Sequence, residues 1–226
     1  MSHFIRLSYT LTEDTVFHPV LSGLKITPRN RISSGSDYNT SVISIENHCG
    51  THVDAPAHFI DGEKTISEFN ADDLVFYKPV YINCPKGPDE LITPDDLKAI
   101  PEDCDCILIN TDFAGFKNTD TEKYLKHNPA LSPEASLYLR EKHPSVGCVG
   151  IDSVSMARYG RPEEAVKVHQ TAFKQNKNWG RSIFFVEEMD LSRINADTPV
   201  TMVQVIPWQI AGIDSAPCTV LAQTDN

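Results

Sequence analysis

Between Asn47 and Phe59 the chain places three of its eight histidines, His48, His52 and His58, together with Asp54. Imidazole nitrogens and a carboxylate suit zinc or manganese, and three protein ligands leave a coordination position for water, as a catalytic ion requires. All four residues carry even numbers, so on an extended chain they share one side. Cys49, Thr51, Val53, Ala55, Ala57 and Phe59 then occupy the other side, and all are small or apolar enough to face a core. A helix fits less well, because the four positions do not form one stripe at about 100° per residue and Gly50 and Pro56 interrupt it. Fully extended, His48 and His58 would lie about 33 Å apart. The chain must therefore fold back, and Gly50 and Pro56 are where it can. Four potential ligands of one parity outweigh the alternative that these are ordinary packing histidines around a turn.

The run from His48 to Phe59 closely resembles the HxGTHxDxPxHF signature of the cyclase family of metal-dependent hydrolases, which includes bacterial kynurenine formamidases and isatin hydrolases. Weaker similarity covers Tyr38-Asn39-Thr40, residues 149–155, and the closing Ile206-Pro207-Trp208 through Gly212 and Ala216-Pro217. The resemblance implies one domain over residues 1–226, an α/β fold of the swivelling β/β/α type, and a divalent ion, Zn2+ or Mn2+, on His48, His52 and Asp54. It implies a second ion on His169 and Glu187, bridged to the first through Asp54, so one or two ions per subunit. The interval from His169 to Glu187 is longer than is usual in the family, with a polar insertion at 174–180, which leaves Glu187 and Glu188 as alternatives. His58 is implied as a general acid or base, with an inner-sphere ligand role left open. A homo-oligomer, dimer or tetramer, is also implied.

Composition agrees with one domain and a sizeable core: 226 residues with 40% hydrophobic content. A formal charge of -11 argues against nucleic acid or an anionic membrane as partner and leaves a small-molecule substrate. No run of about 18 apolar residues suggests a membrane span. Residues 1–6 lack the apolar region of a secretory signal, so a cytoplasmic location is expected. Cys49, Cys84, Cys104, Cys106, Cys148 and Cys218 then read as reduced thiols. Cys104 and Cys106 are spaced like a metal or redox pair, but without nearby Cys or His partners a structural role is expected.

The elements that must position these residues change character along the chain. Up to Asn83 it reads as strands and loops, with strands at 41–45, feeding the metal motif, and at 78–83. Strands and helices then alternate. Helix starts are expected at Thr93-Pro94-Asp95-Asp96, at Ser132-Pro133-Glu134 with a helix through about Lys142, and at Arg161-Pro162-Glu163-Glu164 for the helix carrying His169. Buried strands are expected at 106–110, 146–151 and 183–186. Each is followed by an acid: Asp112, read as a cap or loop residue; Asp152, which could serve a ligand or a turn; and Glu187.

The chemistry expected is metal-assisted hydrolysis of an amide or lactam C–N bond in a small aromatic substrate, arylformamidase-like and so placed in tryptophan catabolism by the resemblance. Aromatic pocket walls are expected, with Phe17, Phe59, Phe113, Phe116, Trp179 and Trp208 as candidates without assigned positions, most of them expected to be core. Residues 8–20 resemble the family's opening but lack the Trp-Pro-Gly run frequent in kynurenine formamidases. An isatin-type lactam hydrolase, a metal-dependent cyclase, lyase or isomerase, and a non-catalytic metal-binding module are the other readings.

Overall fold

The computed structural model describes residues 2–176 and 178–225, which leaves Lys177 of the polar insertion outside the described residues. The chain opens with β1 (His3–Arg6) and a hairpin of β2 (Lys25–Asn30) and β3 (Thr40–Ser44), followed by β4 (His52–Asp54), β5 (Val75–Phe76), β6 (Pro79–Asn83) and β7 (Leu91–Ile92). Next come β8 (Cys106–Asn110), α1 (Thr121–Lys126), β9 (Ala130–Leu131), α2 (Pro133–Lys142), β10 (Cys148–Ile151), α3 (Pro162–Phe173) and β11 (Phe184–Glu187). The last strands are β12 (Val200–Pro207) and β13 (Ser215–Thr224).

Nine strands form one mixed sheet in the order β5-β12-β13-β4-β11-β10-β8-β6, with β1 added on β13. The strands β6, β8, β10 and β11 run parallel, and parallel neighbours need crossover connections. α2 lies in the crossover from β8 to β10, and α3 in that from β10 to β11. Alternation then sorts the side chains. Ile107, Ile109, Val149, Ile151 and Phe185 pack on Leu139, Val168 and Phe173 of the helices. Cys106, Leu108, Cys148, Phe184 and Val186 point to the other side, into a core shared with Val53, Val203, Val205 and Val220 of the antiparallel half. The resulting α/β architecture, strand-rich at first and then alternating, is the one expected.

β4 sits between β11 and β13, antiparallel to both. Its register sets Glu187 of β11 opposite His52 and Phe185 opposite Asp54. Because Phe185 and Glu187 share a face with α3, the same face of β4 carries His52 and Asp54 towards His169.

Two local expectations change. The strand expected at 41–45 is β3, which pairs only with β2 in a separate two-stranded sheet, exposed along its length. The helix expected from Thr93 is a single 3-10 turn, Pro94–Leu97, despite a complete capping box between Thr93 and Asp96. Pro101 explains its brevity, since the residue before a proline is pushed out of the α region. The starts of α2 and α3 fall where the Ser-Pro and Arg-Pro pairs placed them.

No helix of the described residues is long and apolar enough to cross a membrane. All six cysteines are free and buried. Burial pushes the Cys104 thiol up to about 12 and the Cys84 thiol up to about 11, so these groups are poor nucleophiles and poor ligands.

Candidate metal centre

The histidine motif converges because the chain reverses twice. Gly50 adopts φ +67, a left-handed conformation that a glycine takes without steric cost, and it turns the chain between His48 and β4. Pro56 opens a 3-10 turn, Pro56–His58, that swings His58 back. The His48 ring then lies 4.1 Å from the His58 ring and 5.2 Å from the His52 ring, centre to centre.

Asp54 stands at the middle. Its Oδ1 is 3.1 Å from His48 Nδ1 and 3.5 Å from His52 Nε2. Glu187 Oε2 is 3.4 Å from His52 Nε2, and its Oε1 is 3.7 Å from His169 Nε2. Two groups bring a donor atom of each member within 4.8 Å of the others: His48, Asp54 and His58, and His52, Asp54 and Glu187. Asp54 belongs to both. His169 touches the second group only through Glu187.

Hydrogen bonding decides what these atoms can accept. His52 Nδ1 donates to the Gly50 carbonyl and His169 Nδ1 to the Ala165 carbonyl, both at 2.8 Å. A carbonyl can only accept, so in each neutral ring the Nε2 lone pair faces a carboxylate. Acceptor against acceptor is unstable unless a cation lies between them. His52 Nε2 and Asp54 Oδ1 are buried with no hydrogen-bond partner, which fits a divalent ion on that donor set.

The electrostatics give the same result. Burial lowers the proton affinity of His48, yet Asp54 and Asp214 outweigh it and hold the group up at about 10. His52 is likewise raised against the cost of burial, by Asp54 and Glu187. Glu187 lies well below the ordinary range despite burial, because His169 and His52 surround it. The pocket seeks positive charge, and a metal takes the place of protons in such a site.

The family model described as Putative cyclase matches residues 5–158. The chain belongs to the cyclase family. It is 33% identical over 127 residues to an uncharacterized protein of Haemophilus influenzae, covering 53% of this chain and 87% of that one. It is 25% identical over 205 residues to Cyclase-like protein 1 of Oryza sativa subsp. japonica, covering 87% and 69% respectively. Isatin hydrolase A from Labrenzia aggregata, solved bound to benzyl benzoate, superposes with a TM-score of 0.81 at 23% identity, covering 100% of this chain and 94% of that one. A potential metal-dependent hydrolase with cyclase activity gives 0.71 at 23% identity, with both chains fully covered. These superpositions show that the cyclase-family fold extends over the whole chain.

The other acids of this cyclase-family chain fall into place. Asp112 is an exposed loop residue that accepts from Asn110 Nδ2. Asp152 accepts from Thr111 N, Thr111 Oγ1 and Ala114 N, which makes it the anchor of a turn. Glu188 turns away from the histidines and pairs with Lys117. Of the two adjacent glutamates, Glu187 faces the site.

Two residues escaped the sequence reading. Asp214 Oδ2 accepts from His58 Nδ1 at 2.7 Å and from His48 Nε2 at 3.1 Å, while its Oδ1 accepts from Asn47 at 2.8 Å. Those histidine bonds hold its carboxyl far below the ordinary range. The only signal was its position in the closing segment resembling the family. His18 lines the recess above the metal-type cluster, and its sole signal was being a histidine in the opening segment.

That recess, of about 230 Å³, corrects the expectation of aromatic walls. Its sides are imidazole rings with Val20, Leu21 and Val154, and none of the six candidate aromatics lines it. Phe59 instead stacks behind His169 at 4.2 Å, Phe113 packs on Phe116, and Trp179 covers Arg140. Phe17 is buried and Trp208 is 43% exposed. Most of these rings serve packing because their strands and turns point them away from the mouth.

Proposed function

We propose that the protein is a metal-dependent hydrolase that cleaves the C–N bond of a small aryl formamide, in the manner of kynurenine formamidases. The observation carrying this reading is the pair of partnerless buried atoms, His52 Nε2 and Asp54 Oδ1, beneath a recess that opens past His58. His48, His52 and Asp54 would hold one Zn2+ or Mn2+, and His169 and Glu187, with Asp54 between, a second, whereas the donor atoms as they stand cluster as His48, Asp54 and His58 and as His52, Asp54 and Glu187. The nitrogen and oxygen donor set suits either metal. A divalent ion in such a site acidifies water and polarises a carbonyl oxygen.

The chain's own residues supply the proton handling. His58 Nδ1 donates a hydrogen bond to Asp214 Oδ2 at 2.7 Å, and a carboxylate so placed leaves Nε2 as the acceptor. Nε2 can then take a proton from attacking water and return it to the departing nitrogen as the C–N bond breaks. Asp214 fixes the ring and compensates the imidazolium formed between those events. Val20, Leu21 and Val154 supply apolar sides for an aromatic ring. The same proposal includes a homo-oligomeric, cytoplasmic enzyme built as one domain, with a small molecule rather than nucleic acid or membrane as its partner.

A lactam substrate of the isatin type is the second reading, favoured by the isatin hydrolases among the structural neighbours. One experiment separates the readings: elemental analysis of protein purified without added metal, followed by turnover of N-formylkynurenine and isatin with zinc or manganese supplied. Bound transition metal that disappears in His52→Ala, with cleavage of the formamide, is expected. Turnover of isatin alone selects the lactam reading. A wild type as poor in metal as His52→Ala refutes the site.

A further inference from the structure

The two oxygens of Glu187 have different surroundings. Oε1 accepts from Met156 N at 2.6 Å and from Ser155 Oγ at 3.1 Å. A carboxylate oxygen offers about two lone-pair sites, so those on Oε1 are both taken by donors of the chain. Oε2, 3.4 Å from His52 Nε2, is the oxygen left for a cation.

Both donors are fixed before any ion arrives. Ser155 Oγ itself accepts from Ala157 N at 3.2 Å, which leaves its hydroxyl hydrogen for Glu187. The turn that carries the two donors is held by the buried Asn128, whose Nδ2 donates to the Ser155 and Ala157 carbonyls at 3.2 and 2.9 Å and whose Oδ1 accepts from Tyr159 N at 3.1 Å. Leu131 N donates to the Met156 carbonyl at 3.0 Å, and Glu188 N to the Ser153 carbonyl at 2.9 Å. The turn is therefore tied to β9 on one side and to the end of β11 on the other.

We propose that Ser155 is a positioning residue of the metal centre, holding Glu187 Oε1 so that Oε2 alone is presented to a divalent ion. Partners placed behind a metal ligand orient it, and losing one typically costs about 10–100-fold in metal affinity. Met156 supplies its share from the backbone, whatever its side chain. The Ser155 hydroxyl is the share that a substitution can remove. This rests on the metal-centre reading above and adds no ligand to it.

The test is affinity for Zn2+, or for Mn2+ if zinc is not taken up, read in competition with a chromophoric chelator on protein first stripped of metal and with no substrate present. Ser155→Ala is expected to bind the ion about 10–100-fold more weakly than wild type, and Ser155→Thr, which keeps the hydroxyl, should stay close to wild type. Ser153 lies in the same turn, and its Oγ donates to the Pro129 carbonyl at 3.0 Å. Ser153→Ala therefore loosens the turn without touching Glu187 and should keep the wild-type affinity. If Ser155→Ala does not fold without metal, Ser155→Thr and Ser155→Val, alike in shape, carry the comparison, with the valine variant weaker by the same factor. Unchanged affinity in Ser155→Ala overturns the inference; that is the result expected if the hydroxyl, which also lines the recess, serves substrate alone. An equal fall in Ser153→Ala overturns it too, by showing a general loosening of the turn. A wild type that takes up neither ion fails the metal-centre reading itself, and the inference with it.

Discussion

Lys117→Met should destabilise the fold strongly, because it removes the partner of a carboxylate that cannot reach water. The Lys117 and Glu188 side chains are 8% and 2% exposed, and they pair directly. Lys117 Nζ also sits 4.0 Å over the Tyr9 ring. The pair holds the chain where β11 ends: Glu188 has φ 57, its N–H donates to the Ser153 carbonyl, and its carbonyl accepts from Thr51 Oγ1 at 2.7 Å. Breaking a buried pair by removing one member costs about 3–5 kcal/mol. For a chain of this length each kcal/mol corresponds to about 2–4 °C, so a fall of roughly 6–20 °C in Tm is expected. Burial already raises the Glu188 carboxyl and Lys117 opposes that rise. Without the lysine the folded state binds the proton more tightly than the unfolded chain, whose value is about 4.3. The deficit is therefore absent below that value, grows as pH rises from it, and persists at neutral pH. Urea titration of chelator-treated wild type, Lys117→Met and the double variant with Glu188→Gln, at neutral and mildly acidic pH, measures this without metal linkage. A single-variant loss below about 1 kcal/mol, or a double variant no more stable than the single, refutes the reasoning.

Three further outcomes follow from the site. His58→Ala should keep its metal, read by elemental analysis, while losing about 10²–10⁴-fold in turnover; metal lost in step with activity would make His58 a ligand. Asp214→Asn replaces two charge-assisted hydrogen bonds by neutral ones on the same oxygen, so kcat/KM should fall about tenfold at wild-type metal content, and a parallel loss of metal would mean Asp214 acts through His48. Gly50→Ala forces a side chain into φ +67 and sets its Cβ 2.3 Å from Leu11 Cδ2; a cost of about 1–3 kcal/mol and weaker metal retention are expected in denaturation and dialysis, and wild-type behaviour in both would show that this turn is not strained.

Legibility in the sequence tracked the range of the interaction. The starts of α2 and α3 were readable because caps and first-turn prolines act within a few residues; Ser132 Oγ accepts from Ala135 N three positions on. The same local reasoning overestimated the helix at Thr93, where the capping signal was present but Pro101 left no room to propagate. The stretch at 41–45 was strand-forming by pattern, yet pattern does not say which strand it joins, and it joined β2 outside the main sheet. The candidate aromatics could be expected mostly in the core, but which of them would wall the pocket was not legible, because residue type does not give direction: Phe59 faces His169 behind the site rather than the recess.

The sequence by itself determined the donor set of the candidate centre, its parity, and the two points, Gly50 and Pro56, where the chain could reverse, because these depend on residue type and nearest-neighbour backbone geometry. Only the tertiary structure decided which distant groups complete it. Asp214 reaches His48 and His58 because β13 pairs with β4. Glu187 rather than Glu188 faces His52 because the β11–β4 register sets them opposite, and the left-handed turn at Glu188, where β11 ends, sends its side chain to Lys117. Pairing register is a property of two segments and of the cores they bury, so no inspection of either segment alone contains it.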